Sequence, residues 1–108
     1  MIVKLNKTKN TNLLVIPQEM LDMIEGNKRR RIDIVITDPR SRHIILTRNT
    51  HGIKTWYITN IERGLDFIPS CALKKAKIDD VYLFYVTPQD GNLIIRRLSP
   101  KDIIKKPR

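Results

Sequence analysis

Closely spaced turn signals constrain this chain more than any other feature. Asp38-Pro39-Arg40-Ser41, Asn49-Thr50-His51-Gly52 and Pro88-Gln89-Asp90-Gly91 punctuate it, and the candidate strands beside them are six or seven residues long. Runs and connections this short predict an antiparallel meander of strands. In residues 32–37, Ile32, Ile34 and Ile36 alternate with Asp33, Val35 and Thr37, the period of a strand with one face buried. Residues 42–47 and 53–59 supply a second and a third strand. Residues 81–87, rich in Val, Tyr and Phe, pair with 92–98 across Asp90-Gly91, the strong hairpin dipeptide.

The rest of the chain is interleaved with this meander. Residues 1–12, with Lys4, Asn6, Lys7, Thr8, Lys9, Asn10, Thr11 and Asn12, read as an exposed, donor-rich segment. Leu13 to Ile16 form a short apolar run that reads as a buried strand, stopped by Pro17. Pro17 fits the first turn of a helix over 17–25, with Met20, Leu21 and Ile24 on one face and Gly26-Asn27 ending it. The four cations Lys28, Arg29, Arg30 and Arg31 follow, as a solvated loop or a phosphate contact. Residues 62–77 predict helix with Leu65, Phe67, Ile68 and Leu73 as its apolar side, broken at Pro69. Ser99-Pro100-Lys101-Asp102 has the form of a helix start. Residues 99–108 end in a basic tail. These elements predict a mainly β single domain over 1–108 with two short helices: a small, open, six- to seven-stranded barrel-like sheet with helices at its ends.

Charge narrows the function. The chain of 108 residues carries 21 Lys and Arg against 11 Asp and Glu, a formal net charge of +10. A surplus of that size favours polyanions as partners, nucleic acid before an anionic membrane surface. No apolar run approaches the length of a membrane span, and residues 1–10 are too polar and short for a secretion signal. Cys71 is the one cysteine and there are two histidines, too few for a disulfide or a zinc set. A lone thiol inside a helix suits a reducing, intracellular compartment. No nucleophile–base pair or glycine-rich phosphate loop stands out, so the expectation is a binding protein without cofactor, metal or small-molecule substrate, not an enzyme.

The order of the elements resembles the B-three DNA-binding domain of plant transcription factors, which has the DNA-binding pseudobarrel fold; the effector-binding domains of certain restriction endonucleases share it. Leu13-Leu14-Val15-Ile16-Pro17 looks like that family's first strand running into a helix. Residues 32–38 look like its second strand and turn, and Trp56-Tyr57-Ile58-Thr59 like its arm strand. Gly64-Leu65-Asp66-Phe67-Ile68 stands where the family often has Gly-Trp and a Phe. Leu73, Ile78-Asp79-Asp80-Val81 and Phe84 look like its closing pattern. Leu65 in place of the usual Trp, and Asp79 in place of the usual Gly, depart from it.

The resemblance covers residues 4–98 and implies a monomeric, sequence-specific binder of double-stranded DNA, a transcription regulator that holds the major groove between two arms. In a plant it would be nuclear; otherwise it would belong to the cytoplasm or nucleoid. The first arm is residues 4–12, offering Lys7, Thr8, Lys9, Asn10 and Asn12. The second is residues 48–60, offering Arg48, Asn49, Lys54, Trp56, Thr59 and Asn60. These residue types suit the task, because cations hold phosphates while Asn and Arg read adenine and guanine edges. Each also has a plainer reading: Asn49 and Asn60 as turn residues, Trp56 as a half-buried aromatic, Lys54 and Thr59 as ordinary strand positions.

Three rivals stand beside this reading. Val15-Ile16-Pro17 before a helix also occurs in swapped-hairpin dimeric regulators of bacterial type, whose chains are about half as long. The chain also fits the DNA-recognition domain of a restriction endonuclease. A small magnesium-dependent nuclease would use Asp33, Asp38, Asp79 or Asp80.

Overall fold

The structure is a computed structural model and describes residues 1–7, 12–61 and 67–98. Among these residues, nine strands and two short helices follow in the order β1 (Ile2–Lys4), β2 (Asn6–Lys7), β3 (Asn12–Val15), α1 (Gln18–Leu21), β4 (Asp33–Ile36), β5 (His43–Thr47), β6 (Tyr57–Asn60), β7 (Phe67–Ile68), α2 (Ser70–Lys75), β8 (Leu83–Gln89) and β9 (Asn92–Arg97). Six form one antiparallel sheet in the order β1-β8-β9-β5-β4-β6, and β2-β3-β7 form a second, smaller one. The larger sheet is open, with β1 and β6 as its edges. The chain is mainly β with two short helices, as its turn spacing predicts; the strand count exceeds the expected six or seven because β1, β2 and β7 have only two or three residues each.

The register sorts side chains into two faces. Ile34, Ile36, Ile44, Leu46, Leu93, Ile95, Phe84 and Val86 point to one side of the large sheet and are buried. Leu14, Ile16, Met20, Leu21, Ile68 and Leu73 join them in a single apolar cluster. The opposite face is only partly covered. Val35 lies on it, yet is also fully buried, because β4 is an interior strand and Ile58 and Ile45 stand beside Val35 in register. The alternation that assigns Val35 to solvent therefore describes an edge strand better than this one.

Three further expectations change. Residues 1–4 are not a polar lead-in: β1 pairs with β8, and the terminal ammonium of Met1 donates to the Val86 carbonyl at 2.9 Å. The first helix stops at Leu21, after which Met23 and Ile24 make tight three-residue turns onto Met20 and Leu21, and the Glu25 N–H leaves the helix to donate to the Gly91 carbonyl at 2.8 Å. A tertiary bond thus replaces the last turn. Phe67 and Ile68 are strand, paired with Val15 and Leu14. Ile68 precedes Pro69, and a residue before proline is driven out of the helical region. The new helical turn starts after Pro69, as expected.

The Asp90-Gly91 hairpin forms as predicted. Gln89 pairs with Asn92, and Asp90 and Gly91 have φ of 53° and 80°, the two positive values of the turn that matches strand twist.

Candidate nucleic-acid interface

β6 is an edge of the large sheet and, among the described residues, pairs with one neighbour, β4. Its residues Tyr57, Ile58, Thr59 and Asn60 pair with Ile36, Val35, Ile34 and Asp33 of β4. The Trp56 N–H extends the ladder by one bond, donating to the Ile36 carbonyl at 2.8 Å. Residues 53–55, expected as strand, are not. They leave a turn closed by the Ile53 N–H donating to the Thr50 carbonyl at 3.0 Å.

The strand's alternation separates the predicted contacts. Ile58 and Asn60 are exposed, while Tyr57 and Thr59 are half-buried. Tyr57 packs against the apolar cluster, and Thr59 shares its side of the strand, in register with the buried Ile34. Thr59 is thus partly committed to the interior. Asn60, Lys54 and Trp56 are open to solvent, Trp56 at 48%. Among the described residues, the Lys54 and Asn60 side chains have no hydrogen-bond or ionic partner.

Asn49 is exposed and is also a turn residue: its carboxamide oxygen accepts the His51 N–H at 3.0 Å. The Thr47 hydroxyl brackets the same turn, donating to the Asn49 carbonyl at 2.9 Å and accepting the Asn49 N–H at 3.1 Å.

Arg48 is the most buried of the predicted contacts whose side chains are described. It is only 7% exposed. Its Nη1 donates to the Arg30 carbonyl at 3.0 Å and, more weakly, to the Lys28 carbonyl at 3.4 Å. Its side chain therefore braces the basic loop 28–31 from beneath. Gly26 lets this happen: it has φ of 118°, and a Cβ there would stand 3.1 Å from the Arg48 Cβ. Arg30, Arg31 and Arg48, with Asp33 and Thr50, line a cleft of about 250 Å³.

The described part of the first arm is an antiparallel strand pair. β2 and β3 pair with Asn6 opposite Leu13 and Lys7 opposite Asn12, which brings the backbones of two predicted contacts together. Thr8, Lys9 and Asn10 lie outside the described residues, as do Glu62 to Asp66 and the basic tail. The two arms belong to different sheets.

Helix α2 adds a residue that sequence reasoning passed over. Lys75 places its ammonium 5.6 Å from the Tyr57 ring centroid and 5.8 Å from that of Trp56. Aromatic faces attract a cation at this range, so Lys75 is held beside the start of β6. The basic last turn of α2, Lys74-Lys75, was visible in the sequence. Its approach to Trp56, nearly twenty residues earlier, depends on the tertiary fold. Cys71 on the same helix is exposed. Burial, and then the adjacent Cys71 side chain, raise the Tyr57 phenol above its ordinary value, so it stays a neutral donor at physiological pH.

The carboxylates of the nuclease alternative are dispersed. Asp80 is engaged by Arg97, Nη1 to Oδ2 at 2.9 Å. Asp38 caps its own turn, accepting the Arg40 N–H at 2.7 Å. Among the described residues, no three His, Cys, Asp or Glu side chains gather where a metal ion would bind, and no helix is long and apolar enough to cross a membrane. No protein family, curated protein or solved structure matches the chain.

Proposed function

We propose that the protein binds nucleic acid, duplex DNA foremost, through the β2–β3 strand pair and a surface centred on β6. One observation carries this reading: the positive charge is exposed and largely uncompensated. Arg97–Asp80 is the only ion pair among the described residues, while Lys4, Arg29, Arg31, Arg40, Arg42, Lys54, Lys74, Lys77 and Arg96 are exposed. Unpaired surface cations repel one another and gain most from a polyanion, which releases its own counterions when they bind. The exposed donors of Asn60 and Lys54 beside that charge provide groups for base edges as well as phosphates. A role as a transcription regulator is the extension of this reading that the B-three resemblance suggests.

The test is a mobility-shift titration of selected and random duplexes at two salt concentrations. Lys54→Ala combined with Asn60→Ala leaves the fold intact, because both side chains are exposed. The double variant is expected to lose preference for the selected site, and its slope of log affinity against log salt should fall by about 0.9 for the lost cation. Unchanged preference and slope would remove β6 from the interface.

A second reading rests on Trp56. An exposed indole flanked by Lys54 and Lys75 has the makings of a stacking platform for unpaired bases. Competition between single-stranded and duplex forms of one sequence separates the two. Single-strand preference that disappears in Trp56→Ala selects the stacking reading.

A further inference from the structure

We propose that the cleft lined by Arg30, Arg31, Arg48, Asp33 and Thr50 is a seat for a phosphate group. Where nucleic acid binds, we assign to it a backbone phosphate, a step that rests on the reading above. The argument begins with Arg48. It carries a guanidinium cation, and the residue as a whole is more than nine-tenths buried. Both of its hydrogen-bond acceptors are neutral carbonyls. Its Nε is buried and has no partner among the described residues. Buried charges are normally paired, because desolvating an ion without a counter-ion is costly. Among the described residues, no carboxylate forms an ion pair with it.

Asp33 lines the same cleft but forms no ion pair with any of the three arginines. Three guanidinium groups against one carboxylate leave the cleft net positive. The 250 Å³ of space admits a tetrahedral oxyanion with part of its hydration, and Thr50 adds a hydroxyl donor. Guanidinium groups suit this ligand, since their planar forks donate two parallel bonds to phosphate oxygens. The brace from Arg48 to the Lys28 and Arg30 carbonyls fixes the backbone of the loop, so part of the ordering cost is met before the ligand arrives.

The cleft adjoins the proposed interface. Asp33 pairs with Asn60 of β6 and with Thr47 of β5. A phosphate in the cleft therefore lies at the Asn60 end of β6, and Lys75 stands at the Tyr57 end. The sequence shows four consecutive cations at 28–31, but not that a fifth, Arg48, closes under them.

The test uses inorganic phosphate first and a short duplex second. Backbone and arginine Nε–H resonances of the intact chain are followed by NMR while phosphate is added, with chloride at matched ionic strength as the control. Saturable shifts confined to Arg48, Thr50 and the 28–31 loop are expected, weakened several-fold in Arg31→Gln. They should be unchanged in Arg40→Gln, whose exposed cation sits on the turn at the far end of the β4–β5 hairpin. Asp33→Asn should tighten phosphate, because it removes the one repelling charge. Shifts that are uniform, non-saturating or equal in chloride overturn the seat.

With the duplex, Arg31→Gln is expected to lower the salt slope by about 0.9, and Arg48 resonances should respond. If phosphate saturates the cleft and the duplex slope is unaffected by Arg31→Gln, the backbone-phosphate assignment is overturned. If phosphate saturates it and no duplex binds at all, the nucleic-acid reading falls while the seat stands as a site for a free phosphate.

Discussion

Replacing Gly91 by alanine tests how the β8–β9 hairpin is tied to the segment after α1. Two separate costs are visible at this position. Gly91 has φ of 80°, a conformation that costs a residue with a Cβ roughly 1–2 kcal/mol. The added Cβ would also overlap the Glu25 Oε2 and stand 3.2 Å from the Glu25 Cβ. The first overlap involves the far end of an exposed, flexible side chain and disappears when Glu25 rotates. The second asks only a few tenths of an ångström from its neighbour. The backbone term should therefore dominate, and Gly91→Ala should destabilise the protein by about 1–2 kcal/mol. Gly91→Asn should cost less, because Asn tolerates positive φ better than other side chains. Urea unfolding of the wild type, both single variants, Glu25→Ala and the Gly91→Ala/Glu25→Ala double variant gives the coupling directly. Additivity within about 0.5 kcal/mol is expected. If Glu25→Ala restores most of the lost stability, the steric overlap governs and the backbone argument is wrong.

Leu14→Ala should cost about 2–5 kcal/mol, since Leu14 is fully buried and pairs with Ile68 where β3 and β7 pack onto the large sheet; a loss under 1 kcal/mol in chemical denaturation would mean that this strand pair is peripheral to the core. Asp80→Ala should cost less than about 1 kcal/mol, because its ion pair with Arg97 is largely open to water, and added salt should narrow the difference further. Tyr57 sets a pH limit: its phenol titrates higher in the folded chain than unfolded, so its contribution is fully present below the ordinary value of about 10 and is lost as pH rises through the folded value. Tyrosinate absorbance in a Tyr82→Phe/Tyr85→Phe background should show this late titration, and a titration at or below the ordinary value would contradict the burial of Tyr57.

The elements read correctly from sequence are those whose information is local. Asp90-Gly91 dictates its hairpin with two adjacent residues, and the alternation in residues 32–37 specifies β4 within one residue at each end. The misread elements depend on distant partners. Phe67 and Ile68 become strand only because β3 offers them an edge and Pro69 bars the helical alternative. α1 ends early because Gly91, some seventy positions away, accepts the Glu25 N–H. Arg48 illustrates the same limit at the candidate site. An arginine in a polar stretch reads as an exposed contact, and nothing within ten residues of it announces that it closes beneath loop 28–31. Lys75 is the converse case, an ordinary helix-end lysine until the fold brings it to Trp56 and Tyr57.

An edge strand that carries no charge of its own needs protection from pairing with another chain's edge. Tyr57-Ile58-Thr59-Asn60 is such a strand, and Ile58 is 49% exposed on it. Its protection comes from its two ends. Lys75 sits over the rings at the Tyr57 end, and the arginine-lined cleft adjoins Asn60 through Asp33. A second copy approaching edge to edge would bring like charges together in either direction, because antiparallel pairing sets the Lys75 end against the arginine end and parallel pairing sets each against itself. A polyanion meets the opposite field at both ends. On the proposed function, the charges that guard the edge would be the ones that attract nucleic acid to it, and neutralising them with Lys75→Gln and Arg31→Gln together should weaken duplex binding and raise concentration-dependent self-association in the same variant. Sedimentation alongside the mobility-shift titration checks both, and weaker binding in a variant that remains monomeric at every concentration would break the link between the two roles.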